Sequence, residues 1–189
     1  MRKIITTILL TISILFADAQ VKKLAGPRVG MTIVQAGSLA SLLRKDVPLE
    51  FGDDAPIRQE WTGSTGKYGA VMSQYGWQWE TRFSDGGEVT GIIEWIALVG
   101  GMEKGEFFPS VSSLAGLRSK HGYEFAAGPN LSMGGIAMVV GAGYNFKFGR
   151  LNLPVNIAYV PSINKTYENG VTHPTGARVS IMVGFNLSK

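Results

Sequence analysis

Hydrophobic and polar residues alternate with a period of two over most of this chain. The clearest stretch sets Ala177, Val179, Ile181, Val183, Phe185 and Leu187 against Arg178, Ser180, Met182, Gly184 and Asn186. Successive side chains of an extended backbone point to opposite faces, so this period predicts strands rather than helices. The same alternation runs through 71–83, 89–99, 138–148 and 151–159, and weaker runs cover 26–35, 111–118 and 122–131. With the C-terminal run these make eight predicted strands, the segment at Val111 to Arg118 being the shortest of them.

The connections follow a second alternation. Those near 84–87, 119–121 and 149–150 are tight and rich in turn formers, whereas those near 37–66, 100–110, 130–135 and 162–175 are longer. Short turns on one rim and long loops on the other characterise transmembrane barrels of the outer-membrane type, with the short turns periplasmic. The reading is therefore an all-β, eight-stranded antiparallel up-and-down transmembrane barrel. Both ends of the barrel domain fall on the periplasmic side, and the long first loop, 37–66, is extracellular. Within that loop Ser38 to Lys45 has the spacing of a short amphipathic helix.

The segment ahead of the strands carries an address. Arg2 and Lys3 precede an apolar run from Ile4 to Phe16, and Ala17-Asp18-Ala19 stands before Gln20. This is the three-part layout of a cleaved secretory signal peptide at 1–19, and the run is too short to span a bilayer as a helix. Residues 20–189 then form one barrel domain. The chain has no cysteine, which excludes a disulfide scaffold, a thiol nucleophile and a cysteine-held metal. The net charge of +4 is scattered among acidic residues, and no nucleic-acid footprint is expected.

Which face meets lipid decides the compartment. A soluble lipocalin-like binder turns its apolar face inward and a charged face outward. Here the less apolar face is rich in glycine, asparagine and glutamine, with too few charges to solvate an exterior. Its charged members are Arg28, Glu80, Arg82, Glu94, Arg118, Glu124, Lys147 and Arg178. The interior of an eight-stranded barrel is only wide enough for side chains, so these residues are expected to form a paired Arg and Glu network inside it. The opposite face carries Tyr75, Trp77, Trp79, Phe83, Trp95, Tyr123, Phe125, Tyr144, Phe146, Phe148, Tyr159 and Phe185, as aromatic girdles at the two interfaces require.

Several strand-and-turn segments resemble the small outer-membrane β-barrel proteins of the Bacteroidota, a porin-like family similar in build to barrels of the OmpX and OmpA type. They are Leu117-Arg118, Tyr123 to Asn130, Leu153 to Pro161 and Val183-Gly184-Phe185-Asn186. The resemblance implies fold and location rather than an activity. Barrels of this class end on an aromatic residue read by the barrel-assembly machinery, whereas here Phe185 is followed by Asn186-Leu187-Ser188-Lys189.

Candidate chemistry is sparse. A lipid-modifying outer-membrane enzyme needs a histidine with a serine or acid near the outer leaflet, and only His121 and His173 exist. His121 falls in a turn on the wrong rim. His173 lies in the last outer loop, within reach in principle of Asp53, Asp54 or Ser64 of the first, but a loop histidine beside Pro174 reads as a surface residue. Asp53-Asp54 lacks the spaced ligands of a calcium loop, and Gly141-Ala142-Gly143 precedes no helix and is no nucleotide fingerprint. No catalytic, cofactor-binding or metal-binding residue is assigned. The expected role is structural, or that of a non-enzymatic subunit of a larger envelope complex. The partners are outer-membrane lipids and lipopolysaccharide, the assembly machinery, and envelope proteins met by the first loop and by Phe107-Phe108-Pro109. A small-solute pore is the alternative, although a filled interior would plug it.

Overall fold

The computed structural model of the chain describes residues 23–46, 66–149, 151–166 and 172–187; the leader, Asp53, Asp54 and Ser64 lie outside them. In chain order the elements are β1 (Lys23–Val34), α1 (Ser38–Leu43), β2 (Ala70–Asp85), β3 (Val89–Gly100), β4 (Phe108–Ser119), β5 (Tyr123–Ser132), β6 (Gly135–Phe148), β7 (Leu151–Val160), β8 (Asn164–Thr166), β9 (Thr172–Pro174), β10 (Arg178–Gly184) and β11 (Asn186–Leu187). From β1 to β7 each long strand pairs antiparallel with the next. β10 pairs with both β7 and β1, which closes the sheet on itself. β11 continues β10 along β7, so the wall has eight positions and the fold is a closed, eight-stranded, up-and-down antiparallel barrel. The gap between β10 and β11 lies opposite Leu153 and Pro154. Proline has no N–H to give to a ladder, and the pairing lapses there.

The two rims differ as the alternation of connections implies, with two corrections. The connection expected to be long at 130–135 is a two-residue turn, Met133-Gly134, between β5 and β6. Gly135, at φ 104, adopts a backbone that side chains disfavour and lets the chain reverse there. The segment expected as the shortest strand is the full-length β4, of 12 residues. Its Ser110, Ser112 and Ser113 dilute the apolar signal, yet pairing to β3 runs unbroken from Phe108 to Ser119. On the long-loop rim, 161–177 carries the small β8–β9 hairpin.

The barrel is apolar outside and polar within, the reverse of a soluble barrel. Trp95, Phe125 and Ile181 are 52%, 65% and 53% exposed, while Glu80, Glu94, Glu124 and Arg118 are 1%, 2%, 3% and 4% exposed. Soluble monomers seldom expose apolar patches beyond a few hundred Å², whereas here outward-facing apolar residues occur on every long strand. The fold is that of an outer-membrane-type barrel. Tyr123, Tyr144 and Phe146 stack edge to face in a band near the short-turn rim, with centroids 5.1 Å and 4.7 Å apart. Phe83 lies over Gly91 of β3, where an added Cβ would stand 2.6 Å from the ring, so the aromatic covers the stretch of wall that glycine leaves bare.

Candidate functional site

The interior is built by strand register. Glu80 on β2 lies directly opposite Glu94 on β3, and Arg118 on β4 directly opposite Glu124 on β5. Two like charges facing one another across a ladder repel, and Arg118 answers this by reaching across the bore. It donates both Nη groups to the Glu80 carboxylate, each at 2.5 Å, and its Nε to Glu124 at 2.5 Å. Arg82, half buried, lies 3.7 Å from Glu80 on the other side.

Glu94 is held differently. Its hydrogen bond comes from the Gln78 Nε2 amide, and Gln78 Oε1 accepts from Arg28 Nε at 2.8 Å. Arg28 also donates to the Pro27 carbonyl at 2.9 Å and to Asn186 Oδ1 at 3.0 Å. Three arginines, Arg28, Arg82 and Arg118, thus stand against three glutamates, Glu80, Glu94 and Glu124. A buried charge costs several kcal/mol unless it is paired, and the cluster is neutral as a set.

Nearer the long-loop rim a second polar layer is uncharged apart from Arg178. Thr32 Oγ1 donates to Gln74 Oε1 at 2.5 Å and lies 2.7 Å from Ser180 Oγ. Asn130 Nδ2 donates to Ser110 and Ser112 at 2.8 Å and 2.9 Å, while Arg178 donates to Ser132 Oγ at 2.8 Å and to Asn130 Oδ1 at 3.1 Å. Between the layers the inward residues are apolar, with Leu114, Ala137, Val139 and Val160 packed together against Ile96, Ala126 and Ala158. All of these but Ala137 line a chamber of about 80 Å³, whose lining also includes Glu94, Glu124 and Met182.

α1 closes the mouth above. All six of its residues are buried, and Leu39, Leu42 and Leu43 pack on Val34, Ala70, Met72 and Phe108, with Met133 alongside. The Leu39 N–H donates to the Thr175 carbonyl at 3.3 Å, and the Gly66 N–H to Ser41 Oγ at 2.8 Å. A Cβ at Gly176 would stand 2.3 Å from the Gln35 carbonyl oxygen, so glycine there admits the close approach of the two loops that carry and hold the helix. Further out, Lys45 pairs with Glu106 at 3.5 Å, Arg44 lies 4.9 Å above the Tyr68 ring, and Glu103 accepts from the Ser73 hydroxyl and amide. Burial acts to raise the Glu103 carboxyl, but those hydrogen bonds outweigh it and hold the group below its ordinary value.

Seven of the eight charges assigned to the interior are buried or half buried; Lys147 is not. It has the inward parity but sits at the last residues of β6, on the rim, where its side chain is exposed. The partner-facing Phe107-Phe108-Pro109 also divides. Phe107 is 63% exposed, but Phe108 is 4% exposed, begins β4 and packs under α1. The expected helix in the first loop forms over Ser38–Leu43 and is turned into the barrel mouth rather than outward. The histidines are held apart, His121 exposed in the short turn between β4 and β5 and His173 in β9 on the opposite rim. Among the described residues no group of three or more His, Asp or Glu is placed to hold a metal ion. Charge alone did not point to Gln78, Asn130, Thr32 and Asn186, yet each sits at an inward parity position, which is the signal that finds them.

No protein-family model matches the chain, and no curated protein matches it. Among solved structures it is similar to Ail, the attachment invasion locus protein of Yersinia pestis, at 12% identity over 88% of this chain and 99% of that one, with a TM-score of 0.22. A likeness of that size carries no argument about fold or activity, and the barrel stands on its own pairing and burial.

Proposed function

We propose that this protein is an integral, non-enzymatic component of the bacterial outer membrane, exported by the leader at 1–19, with a structural role or a subunit role in a larger envelope complex. The observation that carries this reading is the inverted burial. Aromatic and aliphatic side chains cover the outside of the wall, and charged residues are buried within it, with Arg118 paired to Glu80 and Glu124. Only a surrounding hydrocarbon phase makes that arrangement favourable, at roughly 25 cal/mol for each Å² of apolar surface kept from water.

The surfaces left for a partner are on the long-loop rim. Phe107 and Met102, 63% and 57% exposed, project from the loop after β3. Outer-membrane lipids and lipopolysaccharide are the expected surroundings, and the assembly machinery is the expected partner during insertion. The bore is crossed by the Arg118 cluster and lidded by α1, which argues against a standing solute pore.

The test is fractionation of the expressed full-length chain, followed by gel mobility with and without boiling and by native electrophoresis in mild detergent. Recovery in the outer membrane, a heat-modifiable band and a co-migrating envelope protein are expected. A freely soluble periplasmic product would refute the membrane reading. A lone monomer in every mild detergent would refute the subunit role.

A further inference from the structure

The chamber between the two polar layers is acidic on one side and apolar on the others. Two of the three buried glutamates, Glu80 and Glu124, share the Arg118 guanidinium in direct ion pairs. Glu94, 2% exposed and part of the chamber lining, makes no ion pair among the described residues and has the neutral Gln78 amide as its hydrogen-bond donor. Arg28, its nearest bonded source of positive charge, is on the far side of Gln78. Of the two carboxylates that line the chamber, Glu124 is held by Arg118 and Glu94 faces no cation directly, on walls that include Ile96, Leu114, Val139 and Met182. Arg178 lines the chamber as well, but its guanidinium is engaged by Asn130 and Ser132.

We propose that this chamber is a binding site for a small organic cation, a primary ammonium on a short aliphatic chain, with the ammonium on Glu94 and the chain against the apolar walls. A buried carboxylate beside open volume gains most from a ligand that supplies positive charge and N–H donors together. Where one water needs roughly 10–15 Å³ on this measure, a chamber of about 80 Å³ has room for about five to eight groups of that size, which a short alkyl chain with its ammonium does not exceed. Entry is from the long-loop rim. The Arg118 cluster closes the other end, and α1 with the hydrophobic cluster beneath it forms the removable cover.

The probe is n-propylammonium, with n-propanol as its uncharged counterpart of equal size. Both are titrated into the folded full-length chain in detergent micelles and followed by ligand-observed NMR. Saturable binding of n-propylammonium is expected, at least tenfold tighter than n-propanol. Glu94→Gln, which keeps the shape and the Gln78 contact while removing the charge, should weaken n-propylammonium at least tenfold and leave n-propanol unchanged. Leu114→Phe, which fills the chamber, should weaken both ligands. The unmodified chain alone decides the matter if a variant fails to show the heat-modifiable band. Equal affinity for the two probes, no saturable n-propylammonium binding, or binding untouched by Glu94→Gln in a folded variant overturns the proposal.

Discussion

Replacing Arg118 by methionine keeps much of the side-chain volume and removes the one guanidinium that serves two carboxylates. Deleting one partner of a buried ion pair costs about 3–5 kcal/mol, because the other charge is left buried without compensation. Here Arg118 is 4% exposed and both Glu80 and Glu124 lose it. The second stranded carboxylate adds about 1–3 kcal/mol for its lost hydrogen bond. Arg82, already 3.7 Å from Glu80, offsets roughly 1 kcal/mol by closing that distance, as partly exposed pairs do. The sum is a loss of about 3–7 kcal/mol, a large fraction of the roughly 5–15 kcal/mol that separates folded from unfolded domains. The assay is urea unfolding in phosphocholine vesicles followed by fluorescence of Trp77, Trp79 and Trp95, which face outward and pass from lipid to water. Adding Glu80→Gln and Glu124→Gln to Arg118→Met removes the stranded charges and should recover at least half of the loss. A single-variant loss under about 1 kcal/mol, or a triple variant as unstable as the single, would show that the cluster is not held by charge pairing.

Four further outcomes are expected. Ile157→Lys, on the outward face in mid-strand, should destabilise the barrel by about 2–4 kcal/mol in vesicles, while Phe148→Lys at the rim should cost about 0–1; equal small effects would mean that no hydrocarbon surrounds the wall. Gly128→Ala places a Cβ 2.0 Å from the Ser113 carbonyl oxygen of the neighbouring strand; the backbone must move, and loss of the heat-modifiable band or of at least about 2 kcal/mol in urea unfolding is expected. Leu43→Ala, at a residue 1% exposed, should release α1 at a cost of about 2–5 kcal/mol, read as faster hydrogen exchange of the Ser41 and Arg44 amides with the strand amides unchanged. The Glu103 carboxyl, held below its ordinary value by Ser73, contributes stability above its unfolded value that is lost as the pH falls through the folded one; its ¹³C titration should fall below the ordinary carboxylate range, and Ser73→Ala should raise it.

The strands were legible because one alternation encodes both pairing and face. At Trp77, Trp79 and Trp95 outward, and Glu80, Glu94 and Glu124 inward, period two decides the matter. β4 reads short from its pattern because Ser110, Ser112 and Ser113 give its N-terminal half no apolar contrast. Polar and small residues around 130–135 read as loop, although Asn130 and Ser132 are strand positions whose side chains bind Arg178 and the turn itself is only Met133-Gly134. Lys147 has the parity of an inward residue but stands at a strand end, and parity says nothing about depth. The position of α1 depends on long-range packing of Leu39 and Leu43 on Met72 and Phe108, which no local pattern encodes.

The Arg28 hydrogen bonds have a consequence for how the molecule assembles. Arg28 belongs to the first strand and binds Asn186 of the last, 158 residues away along the chain, while Gln78 ties it to β2 and, through Glu94, to β3. Contacts of such sequence separation are slow to form, since the intervening chain must be ordered before they return any stability. A partly built wall would hold Arg28, Glu80, Glu94 and Arg118 in an unfinished bore with some of their partners still missing. Closure is therefore expected to be all or none. The polar core acts as a check on completeness, because the Arg28 bond to Asn186 forms only when the first and last strands meet.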